Sequence, residues 1–374
     1  MVAHCALDKS LGKGAAGVRR TLERLRCIQV DPLDSIGTNA DLVVMARVDG
    51  VGRGDVWRHL FPHHAFEHFA KERCILPASA FPHYRERGHA AETPWWGHGE
   101  RARRVPRRVV EAVLAEVETR GPLTPRDLQD HGKVEPLDWS GWKGTASAAT
   151  MALEMLWTRC EIVVAGRTDS GAKLYATPRK ALGTIADAAP DGNFARWALR
   201  ERVRAAGLLA RAAGATWSML ASVRKSRTPA AMIRGEELVE VLVEGSGRPF
   251  LATPEFFELP RPRFDDRVRI LGPLDPLLWD RNLVRRVFDF DYVWEVYKPA
   301  RLRRWGWYVC PLLYRDQLVG RVEAVIERQH LLVRKLWIES EVPDDRVRDA
   351  LDRHARACGL RGVRLPKRAW RQRR

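Results

Sequence analysis

Two stretches of this sequence, residues 107–178 and 191–258, repeat one order of elements, and repetition of a supersecondary unit points to a tandem array. In the first, Val109–Thr119 has the spacing of an amphipathic helix and Gly121-Pro122 marks a turn. Thr124 to Leu128 then reads as the capped start of a second helix with Pro125 in its first turn. A third helix is expected over Thr145–Arg159, and the β-like runs Ile162–Ala165 and Lys173–Ala176 flank a turn rich in Gly, Asp and Ser. The second stretch offers helices at Phe194–Ala206, Trp217–Val223 and Pro229–Arg234, then runs at Leu238–Glu244 and Pro249–Ala252 about Gly245-Ser246-Gly247. Three helices followed by a hairpin predict a winged helix in each, at 107–178 and 191–260.

A further winged-helix-like module is expected over residues 1–98. Val18, Leu22, Leu25 and Ile28 recur at helical spacing, with arginines on the other face. The helix runs into Gln29-Val30-Asp31-Pro32, where Pro32 disfavours helical geometry at Asp31, so that Gln29 and Asp31 should project from one side of an extended segment. The apolar run Leu42–Met45 and a helix near Asp55–Leu60 follow, and His64–Glu72 and Pro77–Arg87 read as two more short helices. From Arg267 the pattern becomes strand-like at Trp294–Lys298, Gly306–Leu313, Gln317–Ala324 and Leu331–Ile338, which suggests a β-barrel-like domain over 267–342. A helix at Asp344–Cys358 and the basic tail Lys367–Arg374 complete residues 343–374. The fold class expected is α+β, mainly helical tandem winged helices with a C-terminal β-barrel-like domain.

The 64 Lys and Arg against 47 Asp and Glu give a net charge of +17, a field that attracts polyanions. An arginine-rich solvated surface would give the same number, so charge alone decides little. The third helix of the first repeat argues against a reader of base sequence, because Glu154 is the one charged residue in Ala146–Leu156 and the rest looks like core. No run approaches the roughly 20 apolar residues of a membrane span, and Met1–Lys13 lacks the apolar core of a signal peptide. A cytoplasmic, nucleoid-associated monomer is expected, with its six scattered cysteines reduced.

With Gln29-Val30-Asp31 after Arg24–Ile28, Ala65-Phe66-Glu67 with Ile75-Leu76-Pro77, Gly272–Arg281 (GPLDPLLWDR) and Phe288–Tyr297 (FDFDYVWEVY), the chain resembles the bacterial winged-helix DNA glycosylases of the YcaQ and AlkZ type. The last two motifs are long and specific, whereas the three-residue one would carry nothing alone. The resemblance covers nearly the whole chain and places it in the branch with Asp at the motif's third position. It implies a concave basic channel for double-stranded DNA. It also implies excision of N7-alkylguanine or N3-alkyladenine, including unhooking of interstrand crosslinks, with no cofactor and no metal.

The chemistry fits the residues. Alkylation at a purine ring nitrogen makes the base a cationic leaving group, so its departure needs an anion beside an oxocarbenium-like sugar and a water to capture C1′. Asp31 can be that anion, the general base, or both, and Gln29 can hold the water. Without the resemblance, an Asp-Pro pair would be read as a turn or cap. Glu67 and Glu72 could orient the motif, although carboxylates there are more often solvated or paired with arginine. His63, His64 and His68 lack completing ligands at a metal-site spacing and read as surface or core.

Two departures from the family stand out. Lys71 occupies the place of a family histidine, and could contact phosphate or, less simply, form a Schiff base that gives lyase activity. Asp34–Asp41 replaces a basic, histidine-bearing run, which counts against crosslink unhooking. DNA contacts are expected from Arg53, Lys71, Arg303, Arg304 and Arg328, with Trp305, Trp307 and Tyr308 either stacking on bases or forming core. The competing reading is a non-catalytic winged-helix DNA-binding or architectural protein. A magnesium nuclease is weaker, since no paired-carboxylate motif supports it.

Overall fold

The computed structural model describes residues 1–87, 100–137 and 144–365; the basic tail Lys367–Arg374 lies outside them. The fold is mixed helix and sheet, in two compact units. One comprises Met1–Val56, Phe69–Cys74 and Ala198 onward; the other comprises Trp57–His68 and Ile75–Trp197.

In the larger unit the Gly14–Leu25 helix buries Val18, Leu22 and Leu25, the stripe its spacing predicts. Arg26 ends it in the left-handed conformation and sends the chain into the short strand Ile28–Gln29. A capping box at Thr38 and Asp41 starts the next helix, Asn39–Met45. Its Leu42, with Ile36 before it, lies in the core of a five-stranded sheet more than 200 residues away in sequence. That sheet runs in the order Val268–Ile270, Val309–Tyr314, Gln317–Glu327, His330–Ile338 and Val363–Arg364. The pairs are antiparallel except the last, and the two edge strands do not pair with each other, so the sheet is open and not a closed barrel. The Asp344–Ala357 helix packs on it through Val347, Ala350, Leu351 and Ala355.

The N-terminal segment is tied in twice more. Arg47, just after the Asn39–Met45 helix, makes a two-pronged ion pair with Asp275 at 2.7 and 2.9 Å and donates to the Cys5 and Val43 carbonyls at 2.8 and 2.9 Å. Both charged side chains are 0% exposed. His354 bonds the Ile36 carbonyl at 2.7 Å, and burial pushes its pKa down to about 4 from 6.5, against the pull of that bond.

The second unit packs the Arg107–Arg120 helix, through Val109, Val110, Val113 and Val117, with the Ala148–Thr158 helix. The hairpin Val163–Arg167 with Lys173–Ala176 follows, in the register Val163 to Ala176.

Several expectations need correcting. His64–Glu72 is not helical: Ala65–Ala70 and Glu72–Pro77 are strands, whereas the helix expected over Pro77–Arg87 is present as a 3-10 turn at Ala78–Ala80 that runs into an α-helix at Phe81–Arg87. Phe66, Glu67 and His68 are all buried, so neither period is visible in their polarity. Thr124–Leu128 is a turn, in which Asp127 accepts from the Thr124 amide and hydroxyl at 2.7 Å each but no helix follows. Trp294–Lys298 is not a strand: the Lys298 amide bonds the Glu295 carbonyl at 2.9 Å in a turn, and the Glu295 side chain points inward to accept the Arg304 and Trp305 amides.

Replacing Arg47 by Met should cost about 3–5 kcal/mol, because it strands the Asp275 carboxylate in the core. Urea denaturation followed by circular dichroism measures this, and adding Asp275→Leu should recover most of the loss. Acid should also weaken the fold, since the unfolded chain binds a proton at His354 near pH 6.5 and the folded chain not until about 4. Stability therefore falls as pH drops through that window, and His354→Gln should shallow the slope.

Candidate active site

Within the larger unit, Gln29 sits on the short strand after the first helix, and the Val30 amide that follows donates to the Arg73 carbonyl at 2.8 Å. The Gln29 side chain is buried and its Oε1 accepts from Lys71 Nζ at 3.0 Å. An ammonium can only donate, so this bond fixes the amide's rotation and turns its NH2 group away. That nitrogen has no protein acceptor among the described residues. The Gln29 carbonyl accepts from Asn39 Nδ2 at 2.8 Å, and Asn39 Oδ1 accepts from the Leu274 amide at 3.0 Å. A Cβ on Gly272 would lie 2.6 Å from that Oδ1, which explains glycine in the Gly272–Arg281 motif.

Lys71 is buried, with Nζ 5.1 Å from the centre of the Trp279 ring. It has no carboxylate partner among the described residues. Burial lowers its pKa, and the positive charges of Arg202 and Arg281 lower it further against opposing effects of Cys74 and Cys27. Arg281 donates to the Pro273 carbonyl at 2.8 Å and lies 4.3 Å over the Tyr292 ring, leaving Nη1 buried and unpaired.

Asp31 is half-buried. Its Oδ1 accepts from the Leu33 amide at 2.9 Å, the turn an Asp-Pro pair would suggest. The other oxygen has no donor among the described residues. Desolvation raises its pKa, only partly offset by the Leu33 bond. No lysine or arginine pairs with it among the described residues, in a chain of net charge +17. Tyr308 is close enough to feel the charge of Asp31 and Asp34, although burial is the main reason its hydroxyl stays protonated.

The remaining expected residues are dispersed. Arg53 pairs with Asp34. Arg303 donates to the Lys298 carbonyl at 2.8 Å, Arg304 lies over the Trp305 ring at 4.7 Å, and Arg328 is exposed in the turn after Gln317–Glu327. Trp305 and Tyr308 are buried while Trp307 is exposed. Lys71, among the expected DNA contacts, is 7% exposed with its Nζ on Gln29. Glu72 is exposed and accepts from Ser218.

In the second unit Glu67 is fully buried and paired with Arg167 at 2.5 Å, which lies 4.1 Å over Trp57. His68 and His63 bond the carbonyls of Thr158 and Ala181 at 3.1 and 3.0 Å. Asn39, Trp279 and Arg281 are the site residues that sequence reasoning missed; the Gly272–Arg281 motif contained two of them, but nothing in it said which side chains faced Lys71.

Comparison with known proteins places these features in context. The model of the family described as DNA glycosylase AlkZ-like matches residues 22–360. The Streptomyces sahachiroi DNA glycosylase AlkZ superimposes with a TM-score of 0.62 at 19% identity, over 98% of this chain and 97% of that one. At that identity the likeness speaks for the fold.

Because Lys71 has a lowered folded pKa, stability should rise as pH climbs from that value toward the 10.5 of a free lysine, where the unfolded chain still binds the proton. Denaturant titrations between pH 7 and 10 should show this rise in wild type and lose it in Lys71→Met.

Proposed function

This chain belongs to the AlkZ-like DNA glycosylase family, and we propose that it hydrolyses the N-glycosidic bond of N7-alkylguanine or N3-alkyladenine in duplex DNA, leaving an abasic site. The observation that carries this reading is Asp31: a half-buried carboxylate with one oxygen held by Leu33 and the other without a donor among the described residues, two residues from an oriented amide. A cationic base and the sugar it leaves behind are the charges such a group complements.

In this mechanism the C1′–N bond breaks and its electron pair neutralises the alkylated purine, which departs without an acid. Asp31 stabilises the positive sugar and takes a proton from the attacking water, whose oxygen bonds C1′. Desolvation raises its pKa, which makes the carboxylate a better base. Gln29, its Oε1 committed to Lys71, offers its amide N–H to the water oxygen. In this reading the stretches 107–178 and 191–260 are winged helices whose hairpins contact the duplex.

One observation favours a second reading: a buried lysine of lowered pKa suits Schiff-base chemistry. The bond from Nζ to Gln29 gives Lys71 a different task, and we assign the enzyme as monofunctional. Crosslinks rank below monoadducts in this reading, since Asp34 and Asp41 are spent on Arg53 and on capping Thr38.

The test incubates wild type and Asp31→Asn with duplex DNA carrying one N7-methylguanine in the presence of chelator. Wild type should produce alkali-labile sites, and Asp31→Asn should be slower by about 10²–10³-fold, the size of a lost electrostatic contact to a transition state. Strand breaks without alkali, together with a covalent protein–DNA adduct formed on borohydride reduction of the imine, both lost in Lys71→Met, would establish the lyase. Tight binding with no release of base would leave a DNA-binding protein.

A further inference from the structure

Among the described residues, large hydrophobic side chains are exposed at nine positions, and five of them fall between Val287 and Trp307. Tyr297 is 82% exposed and Leu302 61%. Exposure of this kind on a mobile loop would mean little, but this loop is tied down. Glu295, buried beneath it, accepts from the Trp305 and Arg304 amides at 2.8 and 3.1 Å and from Lys298 Nζ at 2.9 Å. Burial alone would raise its pKa; the three donors outweigh that and hold it at about 2. Further bonds from the Leu302 amide to Pro299 at 2.9 Å and from Arg303 Nε to Lys298 at 2.8 Å close the turn.

The rim of the loop is cationic. Lys298, Arg301, Arg303 and Arg304 lie within seven residues, and the one carboxylate between Val293 and Tyr308 is the buried Glu295. Arg301 has no ion-pair partner among the described residues. Apolar tips interspersed along the turn with basic residues suit a partner with stacked apolar faces between anionic edges, which is duplex DNA and not the apolar face of a protein. The loop also leads toward the candidate site. Tyr297 packs edge-on to Trp294 at 5.8 Å between ring centres, and Trp294 packs edge-on to Tyr308 at 6.2 Å, the tyrosine that feels Asp31.

We propose that the Tyr297–Leu302 turn is a wedge, in which Tyr297 and Leu302 enter between base pairs while Lys298, Arg301 and Arg303 hold the flanking phosphates. The inference rests on the DNA-directed reading above and adds to it how the duplex is opened beside Asp31. Inserting an apolar tip unstacks one base step, which exposes the sugar of the lesion to Asp31 without requiring a deep pocket for the base.

The experiment uses the full chain and an undamaged duplex carrying 2-aminopurine, whose fluorescence rises on unstacking. Wild type should raise it at saturation. Tyr297→Ser with Leu302→Ser should abolish the rise and weaken binding about tenfold, the scale of one lost stacking contact, with the salt slope unchanged. Arg301→Gln should keep the rise and lower the salt slope by about one. Both variants change exposed side chains, and their melting curves should match wild type. No fluorescence change with bound wild type, or an undiminished rise in the serine variant, overturns the wedge. So does a concentration-dependent dimer that the serine variant loses, which would make the patch a self-association face. Because the probe contains no lesion, unstacking of it with no excision from the separate N7-methylguanine duplex would sink the glycosylase reading alone, and excision of N7-methylguanine without unstacking of the probe would sink the wedge alone.

Discussion

The ion pair between Arg47 and Asp275 is the contact on which the candidate site depends. Neither side chain is exposed, so each charge has been taken wholly out of water and is tolerable only because the other is there. The geometry is correspondingly complete. Arg47 also donates from Nε to the Cys5 carbonyl and from Nη1 to the Val43 carbonyl, and Asp275 also receives the Leu277 amide at 3.1 Å. The pair fixes the Gly272–Trp279 segment against the end of the Asn39–Met45 helix. Only in that position can the Leu274 amide meet Asn39, and Asn39 the Gln29 carbonyl. The same segment carries Trp279, the ring beneath Lys71.

The electrostatics of the site follow from this packing. Lys71 and Arg281 are cations buried without carboxylate partners among the described residues, and aromatic faces supply part of the missing solvation. Asp31 is a carboxylate that no lysine or arginine pairs with among the described residues. Lys71 compensates its isolation by gripping the Gln29 amide, which converts a flexible polar side chain into one with a single useful orientation. Asp31 has no such compensation on its second oxygen, and a protein with a large excess of basic residues had many ways to provide one.

Where sequence reasoning failed, it failed for stated physical reasons. Ala65–Ala70 looked helical because Ala65, Phe66, Phe69 and Ala70 fit a helical stripe, yet burial on both sides of the strand had removed the alternation that marks a sheet. Thr124 does donate its amide and hydroxyl to Asp127, half of a capping box, but capping chemistry can begin a helix only where packing continues it. Trp294–Lys298 alternates like a strand, while Glu295 turns inward to hold a loop.

The sequence by itself determined the helices with strong amphipathic stripes, the strands of the large sheet between Val309 and Ile338, the excess of positive charge and the Gln29-Val30-Asp31 motif. These depend on local periodicity and composition, which a linear string carries in full. The tertiary structure alone decided that Ile36 and Leu42 share a core with the C-terminal sheet, that Lys71 is buried against Gln29, and that Asp31 keeps an unpaired oxygen. Each of these is a contact, or a missing contact, between residues that no spacing rule connects, and it exists only because the Arg47–Asp275 pair and the packed sheet bring distant segments to one place.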